Sequence, residues 1–419
     1  MAAERGAILA AWWVAKWSRL TLARRGDIER RQHQLWLDKT AVSVVRRTPA
    51  TAHLAGKPLA DFPIVAPQDI RAGFRLWNTL GLTREQAQAA AQDAEAGGPG
   101  EVAPGVAAGF STGTAGERGV FLSSPAERAR YIGQTLARLL PATALLGRWK
   151  VALVLRADNR LYHEVEGAGR FQFRFFGLDQ DPDARAEALQ AFAPDILIAP
   201  AHVLADLARR GEGDDDPLPG LKALFWGAEP MGEGERAWIT EALGVRPDPI
   251  YQATEGFLAA PCPEGVLHFN EDSLVIELEA VAGTTAFRPI VTDLLRSSQP
   301  IIRVRLDDLV EPIPDRCGCG SAFRAIKPVE GRVSDLWRWG DRVVRPAEVW
   351  GALETALGPR ADWRATGSSK GVQLQLEPGA DREGAVAAIR SLAGEHRVTV
   401  AQGPPVLDGP KRRRVRWAA

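Results

Sequence analysis

The sequence lacks an excess of charge of either sign. Its 419 residues include 52 Lys and Arg against 52 Asp and Glu, so the formal net charge at neutral pH is zero. Proteins that act on nucleic acid or on anionic membranes usually carry a basic excess. The balance therefore argues against a nucleic-acid partner. Hydrophobic residues make up 45% of the chain, which excludes a largely disordered protein.

Long apolar runs and abundant cysteines are also missing. The most apolar stretch near the start is 7–15, nine residues, whereas a transmembrane helix needs about 20. Trp12, Trp13 and Trp17 are bulky where a signal-peptide cleavage site needs small residues. We therefore expect a helix with an apolar face, no transmembrane segment and a cytoplasmic location. Three cysteines, few and odd in number, argue against a disulfide framework.

The pattern of apolar residues divides the chain into regions. Residues 1–105 predict a mainly helical lead-in, including a helix capped by Thr83. Short apolar runs between helical stretches then predict buried strands at Val151–Leu155, Ile196–Ala199 and Leu221–Phe225. The predicted fold class is α/β, with a large multi-layer N-terminal domain over 1–330 and a small, mobile α+β C-terminal domain over 331–419.

One loop has the composition of a phosphate-binding loop. Residues 110–116 read F-S-T-G-T-A-G. Glycine lets backbone N–H groups converge on one anion, and Ser and Thr hydroxyls add donors. No Lys-Ser/Thr pair follows, so this is not a Walker loop. Taken alone, the stretch fits a surface turn equally well.

Further motifs follow this loop in a fixed order. They are Gly227-Ala228-Glu229-Pro230, Tyr251-Gln252-Ala253-Thr254-Glu255, Thr292-Asp293-Leu294, Pro300–Leu309, Gly331-Arg332-Val333-Ser334-Asp335, Pro346–Val349 and Lys411 in the tail. The series resembles the adenylate-forming superfamily of acyl-CoA synthetases, peptide-synthetase adenylation domains and luciferases. The short C-terminal segment and the PIIRVR and CGCG elements are most similar to the phenylacetate–CoA ligase branch. The resemblance covers roughly residue 110 to the C-terminus.

The resemblance implies a reaction and its cofactors. A carboxylate is joined to the α-phosphate of ATP, pyrophosphate leaves, and a thiol attacks the acyl-adenylate. It implies a phosphate holder made of Ser111, Thr112, Gly113, Thr114 and Gly116. It also implies an adenine pocket lined by Gly227, Ala228, Glu229, Pro230 and Tyr251.

The remaining roles are implied in the same way. Thr254 would donate to the α-phosphate and Glu255 would bind Mg²⁺, which prefers carboxylate and phosphate oxygens. Asp308 would accept from the ribose hydroxyls, and Arg332 would reach the ribose and phosphate. Lys411 would bridge the carboxylate and the α-phosphate.

Each of these residues also has a structural interpretation. Glu255 fits a solvated loop acid, Asp308 a turn cap and Arg332 a plain surface arginine. Lys411–Arg416 fits a solvated basic run or a nucleic-acid patch equally well.

The sequence departs from the family pattern at three places. Glu117-Arg118 replaces the lysine that often follows the phosphate loop, and Arg118 is the candidate substitute. Leu306-Asp307 replaces Thr-Gly before the ribose aspartate, and Ser334 replaces the first of two hinge acids. A pyrophosphate grip or domain swing of altered strength is therefore expected.

All the cysteines fall in one candidate metal set. Cys262, His268, Cys317 and Cys319 supply three thiolates and an imidazole, which is a closed tetrahedral set for zinc. Reduced, buried cysteines are the alternative. The phenylacetate–CoA ligase branch carries a similar set, and this resemblance favours zinc. A closed set leaves no open position for water, so we expect a structural Zn²⁺ and not a catalytic ion.

The acyl pocket is predicted from position along the chain. Candidate substrate-binding residues are Tyr131, Arg156, Tyr162, Phe225, Trp226 and Phe257. The stretch 155–162 resembles an aryl-carrier-protein ligase subgroup of aryl-polyene-type pathways, which implies an aromatic, hydroxybenzoate-like acid. Flat aromatic walls suit such a ring, and plain core packing explains any one of these residues as well.

The acceptor is expected to be the thiol of coenzyme A or of an acyl carrier protein. Carrier proteins are acidic, so a basic rim would steer one, with Arg338, Arg342, Arg345, Arg412, Arg413, Arg414 and Arg416 as candidates. An amine or nitrogen acceptor, giving an amide or a diazo product, is the first alternative. A nucleic-acid binder and a degenerate nucleotide binder are others. A homodimer is left open.

Overall fold

The computed structural model describes residues 2–110, 118–155, 171–211, 217–401, 403, 405 and 412–418. Eight of the predicted site residues lie outside these ranges: Ser111, Thr112, Gly113, Thr114, Gly116, Arg156, Tyr162 and Lys411. In the part of the chain that is described, no helix has the length and apolarity that crossing a bilayer requires.

The N-terminal region is helical, as its sequence predicts. It comprises α1 (Ala2–Thr21), α2 (Arg25–Leu35), a π-helix (Trp36–Val44), α3 (Val45–Arg47), α4 (Pro67–Ala72) and α5 (Arg84–Glu95), with 3₁₀ turns at Ala52–Leu54, Leu59–Asp61 and Phe74–Trp77. The predicted Thr83 cap is present: the Thr83 hydroxyl accepts from the Gln86 amide at 3.3 Å. The Gln86 side chain accepts from the Thr83 amide at 2.9 Å, which completes a capping box.

A small antiparallel sheet follows and flanks the predicted phosphate loop. Its strands are β1 (Glu101–Ala103), β2 (Val106–Phe110) and β3 (Val120–Ser123). Phe110 pairs with Val120, so the loop joins two strands of one hairpin. Helix α6 (Pro125–Leu139) starts next, capped by Ser124.

A five-stranded parallel sheet forms the centre of the large domain. Its order is β5-β4-β6-β7-β8, with β4 (Trp149–Leu155), β5 (Phe171–Gly177), β6 (Ile196–Pro200), β7 (Ala223–Gly227) and β8 (Pro247–Pro249). Helices α7 (Pro182–Phe192), α8 (Ala201–Arg210) and α9 (Glu233–Leu243) connect these strands. The first two predicted buried runs lie in β4 and β6, and the third, Leu221–Phe225, overlaps β7, which begins two residues later than predicted. Side chains of these strands alternate between the two faces of the sheet.

Shorter strands carry the chain from the central sheet to the C-terminal domain. One sheet has the order β16-β11-β10-β9. Its members are β9 (Tyr251–Ala253), β10 (Gly256–Pro261), β11 (Leu267–Phe269) and β16 (Ala325–Ile326). A second contains β12 (Leu274–Ala280), β13 (Phe287–Asp293) and β14 (Val304–Arg305), and β15 (Asp308–Leu309) pairs with β17 (Gly331–Arg332).

The C-terminal domain has its own core. After a 3₁₀ turn (Val333–Asp335) come β18 (Trp337–Trp339), β19 (Arg342–Val344), α10 (Pro346–Leu357), β20 (Trp363–Ser368), β21 (Gly371–Leu376), α11 (Arg382–Ala393), β22 (Val398–Ala401) and β23 (Val415–Ala418). The sheet order is β22-β21-β20-β23. Trp337 and Trp363 are fully buried in this core. A boundary at residue 331 stays a prediction.

One turn connects three parts of the large domain. We name it the 293–299 turn. The Asp293 carboxylate accepts from the amides of Leu295 and Arg296 at 2.8 and 3.0 Å. Glu127 of α6 accepts from the amides of Ser297 and Ser298 at 2.6 and 2.9 Å. The turn therefore has its backbone donors satisfied by two carboxylates.

Glu127 depends on these bonds to remain charged. Burial alone would raise the pKa of its carboxyl, but hydrogen bonds from Ser124, Ser298 and Ser297 outweigh burial and lower the pKa to about 2. A depressed carboxyl pKa stabilises the folded state above the unfolded pKa, here 4.5. That stability is lost as the pH falls from there towards 2.

Replacing Glu127 tests this arrangement. Glu127→Gln should lower the free energy of unfolding of the large domain by about 3 kcal/mol at pH 7, because a shift of one pKa unit corresponds to about 1.4 kcal/mol. Urea denaturation measures this difference, which should shrink steadily below pH 4.5. Glu241→Gln, at an exposed position of α9, is the control. Equal losses for the two variants, or a loss from Glu127→Gln that does not change with pH, would contradict the assignment.

Candidate active site

Two predicted nucleotide-binding residues are hydrogen-bonded to each other. The Tyr251 hydroxyl, at the start of β9, donates to the Asp308 carboxylate in β15 at 2.7 Å. Burial, followed by the charge of Asp308 and this bond, raises the pKa of Tyr251 well above its usual value. The tyrosine therefore stays protonated and holds the orientation of the carboxylate.

Arg332 reaches the same place through backbone pairing. Asp308 and Arg332 are direct partners in the antiparallel β15–β17 ladder. Residues directly opposite each other in such a ladder have Cβ atoms about 5 Å apart. The two motifs lie 24 positions apart in the sequence, and this ladder makes them neighbours.

Thr254 and Glu255 form the turn between β9 and β10. The buried Arg296 guanidinium donates to the Thr254 carbonyl at 2.7 Å, so the 293–299 turn supports this turn directly. Burial raises the pKa of Glu255; the charge of Asp308 raises it further, while Arg296 and Arg71 lower it. Among the described residues Glu255 forms no ion pair, and a cation beside it would offset its desolvation.

The Gly227–Pro230 turn begins at the last residue of β7. Gly227 lies close to Ile250, in the segment between β8 and β9. A Cβ on Gly227 would lie 2.9 Å from the Ile250 side chain, so a larger residue does not fit there. Ala228 adopts a positive φ of 68°, which is uncommon for a residue with a Cβ. Glu229 is buried, and its carboxylate contacts the His202 ring at 2.8 Å and the Arg412 amide. The predicted adenine-pocket acid therefore also holds the tail.

Two of the three departures from the family pattern contact each other. The Ser334 hydroxyl donates to the Asp307 carboxylate at 2.6 Å, and the Val333 amide donates to the Asp307 carbonyl at 2.6 Å. The remaining hinge acid, Asp335, is buried and accepts from Arg413. Burial raises the pKa of Asp335, and Arg413 opposes that shift. Polar contacts therefore hold the predicted hinge segment at Ser334 and at Asp335.

The tail arginines are used inside the molecule, which corrects two expectations. Arg412 pairs with Asp362 at 2.8 Å, and Arg414 pairs with Glu235 of α9 at 3.0 Å, both members of the latter pair being buried. Arg413 pairs with Asp335. Arg345, another rim candidate, binds Glu311 and Glu330. Neutralised and largely covered, these arginines supply neither a free rim for an acidic carrier nor a nucleic-acid patch.

Three of the predicted pocket aromatics share one cluster. Tyr131 of α6 meets Phe257 of β10 edge to face, with ring centroids 6.5 Å apart. Phe225 of β7 belongs to the same cluster. Trp226 does not, because neighbouring strand residues point to opposite faces. Its ring packs towards α8 and α9, with the Arg236 guanidinium 5.2 Å from its centroid.

Arg118 is occupied by other partners. Its guanidinium lies 4.0 Å from the Phe110 ring centroid and pairs with Glu95 of α5. Another cation lies nearer to Glu255 than expected from the sequence: Arg71 of helix α4 lowers the pKa of Glu255 through its charge. Arg118 is thus engaged with α5 in the arrangement seen here.

The four predicted metal ligands converge at one end of the β16-β11-β10-β9 sheet. Their ligand atoms lie within 4.8 Å of one another. The sulfurs of Cys262 and Cys317 are 3.8 Å apart, and the Cys319 sulfur is 3.5 Å from His268 Nε2. All three cysteines are free.

The surroundings of the cluster suit a cation. His268 Nδ1 donates to the Phe323 carbonyl at 2.7 Å, which leaves the lone pair on Nε2 facing the thiols. Burial lowers the pKa of His268, so the ring is neutral. Burial, with the neighbouring Cys319 and Cys317, raises the pKa of Cys262 to about 11. The Cys262 thiol therefore needs a positive charge beside it before it can become a thiolate.

Several residues of the site were not found from the sequence. Arg296 and Glu127 act through the 293–299 turn, Arg71 comes from the helical lead-in, and His202 binds Glu229. Buried charge is rare without a partner, but a sequence does not show which distant residue that partner is. The sequence marks Thr292-Asp293 as part of a motif but does not show that Asp293 holds the 293–299 turn.

No protein-family model and no curated protein matches the chain. Solved structures do match. A 2-hydroxyisobutyryl-CoA ligase in the postadenylation state, in complex with R3-HIB-AMP, is similar with a TM-score of 0.64 and 18% identity, over 93% of this chain and 88% of that one. The acyl acid amido synthetase AtGH3.15 in complex with 2,4-DB gives 0.55 and 11%, over 92% and 89%. The amide bond synthetase McbA from Marinactinospora thermotolerans gives 0.52 and 15%, over 74% and 68%.

The chain has the fold of the adenylate-forming enzymes. The predicted fold class, with a large N-terminal and a smaller C-terminal domain, is confirmed. The similarity to the 2-hydroxyisobutyryl-CoA ligase spans 93% of this chain. It therefore includes both the helical lead-in and the small C-terminal domain. The phenylacetate–CoA ligase branch stays a prediction.

Proposed function

We propose that this protein is an AMP-forming acid–thiol ligase that activates an aromatic carboxylic acid with ATP. The observation that supports this most is the contact between Tyr251 and Asp308, with Arg332 opposite Asp308 in the ladder. These residues come from three separate motifs and meet within an adenylate-forming fold. The similar solved proteins are named as CoA ligases and amide synthetases.

ATP would be held by donors and acceptors from several elements. Asp308 would accept from the ribose hydroxyls while Tyr251 holds its orientation and lines the base site beside Gly227–Pro230. The 111–116 loop, which joins β2 to β3, would hold the β- and γ-phosphates. Thr254 would donate to the α-phosphate from a turn that Arg296 supports.

Magnesium fits the chemistry of Glu255. A carboxylate whose burial raises its pKa, and which forms no ion pair with a described residue, gains from a hard cation. Bound Mg²⁺ would neutralise part of the triphosphate charge. Because Arg118 is paired with Glu95, Arg71 is the better candidate for further positive charge near the phosphates.

Adenylation then needs two anions to approach each other. A carboxylate oxygen of the acid attacks the α-phosphorus, the bond from that phosphorus to the bridging oxygen breaks, and pyrophosphate leaves with the electron pair. Arg332 and Lys411 would stabilise the charge in this step. The Arg412 amide binds Glu229 of the Gly227–Pro230 turn, which supports a role for its sequence neighbour Lys411 here. A thiolate subsequently attacks the carbonyl carbon and expels AMP.

The acid would be aromatic, of the hydroxybenzoate type. Tyr131, Phe225 and Phe257 would form its walls, since these rings share one cluster. Arg156 and Tyr162 remain candidates for polar contacts. Trp226 would not line the acid pocket, because its ring lies on the opposite face of β7.

The acceptor would be a pantetheine thiol of an acyl carrier protein or of coenzyme A. Arg338 and Arg342 are the exposed rim candidates, whereas Arg416 is half-buried and less suited to the role. The amide synthetases among the similar structures keep an amine acceptor as the second candidate.

A pyrophosphate-release screen over substituted benzoates tests the activity. The wild type should release pyrophosphate only with ATP and an aromatic acid. Asp308→Asn should lower kcat/KM for ATP about 10- to 100-fold, because hydrogen bonds to a charged acceptor contribute about 1.5–3 kcal/mol. Glu279→Gln, a partly exposed acid of β12, should behave like the wild type. Product mass with coenzyme A, carrier protein and amine then identifies the acceptor.

Two results would overturn the proposal. One is the absence of acid-dependent pyrophosphate release across the screen. The other is equal ATP kinetics for Asp308→Asn and Glu279→Gln, which would remove Asp308 from the nucleotide site.

We also propose that Cys262, His268, Cys317 and Cys319 hold a structural zinc ion. The donor set is complete with four ligands, so it leaves no open position for a reacting water. The neutral His268 ring, held by Phe323, suits a ligand. Such an ion would tie the end of β10, which starts beside Glu255, to the segment that precedes β16.

Metal analysis tests this second proposal. Protein purified without added metal should contain about one zinc per chain, and its thiols should react with a thiol reagent only after chelation. His268→Gln should lose most of the metal, whereas His53→Gln, at an exposed position, should keep it. Metal-free wild type with freely reactive thiols would end the proposal.

A further inference from the structure

The first helix exposes an apolar face in addition to the one that it buries. Five large apolar side chains of α1 are between 47% and 66% exposed: Leu9, Trp13, Val14, Trp17 and Leu20. The rings of Trp13 and Trp17 stack on each other, with centroids 6.2 Å apart. A helix that only supports the core normally turns such residues inward. We name these five residues the α1 stripe.

The charged residues in the middle of the same helix point the other way. Lys16 and Arg19 are the only charged residues between positions 6 and 23. Lys16 Nζ donates to the carbonyls of Ala137 and Leu140 at the end of α6, the first at 3.0 Å. Arg19 donates to the carbonyls of Ala260 and Pro261 at 2.9 and 3.0 Å. The exposed face is therefore free of charge for about four turns.

Helix α1 is fixed firmly to the domain behind it. A Cβ on Gly133 of α6 would lie 2.4 Å from the Ile8 carbonyl, so the two helices approach as closely as glycine permits. Trp12 and Ala15 pack against Ala137. The α1 stripe is thus presented by a rigid surface, and its exposure does not come from a loosely attached segment.

The area and the residue types of the stripe bear on its partner. Five half-exposed side chains offer on the order of 500 Å² of apolar surface. A stable dimer buries about 800 Å² on each partner, of which a little over half is apolar, so area alone suits either a bilayer or a second copy, and the residue types decide. Tryptophan, with an apolar body and one N–H donor, is the side chain that suits the headgroup region of a bilayer.

Charge at the two ends of the stripe agrees with a lipid surface. Arg5 precedes it and Arg24 follows it, and both are exposed. Basic residues beside an apolar helix face attract anionic headgroups. The balanced net charge of the chain is no obstacle, because the contact area itself is apolar.

We propose that the α1 stripe docks the protein on the surface of a lipid bilayer, with α1 lying in the plane of the headgroups. The helix would rest on the membrane and insert only its exposed side chains. This inference is independent of the proposed ligase activity, since none of the stripe residues belongs to the nucleotide site.

Vesicle flotation tests the proposal directly. The full-length protein should float with vesicles of phosphatidylcholine and phosphatidylglycerol, and less with phosphatidylcholine alone. Trp13→Ser/Trp17→Ser should reduce the bound fraction about tenfold or more. Leu76→Ser/Leu80→Ser, at exposed leucines outside α1, is the matched control and should bind like the wild type. Circular dichroism confirms that each variant is folded.

Two results would overturn the proposal. The first is a wild type that stays unbound with both kinds of vesicle, or loses binding equally in both double variants. The second is a wild-type dimer, seen by light scattering, that Trp13→Ser/Trp17→Ser converts to monomer without changing vesicle binding, which would make the stripe a protein interface. Acid-dependent pyrophosphate release should be the same in all three proteins, so a failure here is distinguishable from a failure of the proposed activity.

Discussion

The 293–299 turn is the constraint on which the site depends most. Two carboxylates, Asp293 and Glu127, accept its backbone donors, and its arginine binds the Thr254 carbonyl. Gln299 also accepts from the Leu122 amide of β3. The turn therefore connects β3, which follows the predicted phosphate loop, with helix α6 and with the turn that carries Glu255. Loss of this connection would let three parts of the proposed ATP site move independently.

Contacts between the two domains use charge in a similar way. The buried pair of Arg414 and Glu235 crosses from the tail to α9, and Glu354 of α10 accepts from the amides of Gly234 and Glu235. Removing one member of a buried pair leaves an uncompensated charge, which costs about 3–5 kcal/mol. Such contacts favour the orientation seen here, in which Arg412 reaches Glu229. A swing of the small domain would have to break them.

Local patterns in the sequence predicted much of the fold. The apolar runs of β4, β6 and β7 and the Thr83 cap were found because strand burial and helix capping depend on neighbouring residues. Convergence of the cysteine set followed from its chemistry. Long-range pairing could not be predicted in this way. The sequence alone predicts a free basic run at Arg412, Arg413 and Arg414. Their acidic partners are distant in sequence and reach them only in the folded chain. Likewise, Ser334 and Asp307 are two separate departures from the family pattern in the sequence, and only the structure shows that they are hydrogen-bonded to each other.

The central claim is that one nucleotide lies between Asp308, Glu255 and the 111–116 loop. A crystal structure of the protein with AMP and an aromatic acid tests it most directly. The account predicts ribose hydroxyls within about 3.2 Å of the Asp308 carboxylate, with the adenine beside Tyr251 and the Gly227–Pro230 turn. AMP bound elsewhere, with the Asp308 carboxylate still bonded to Tyr251 and touching no nucleotide atom, would contradict it.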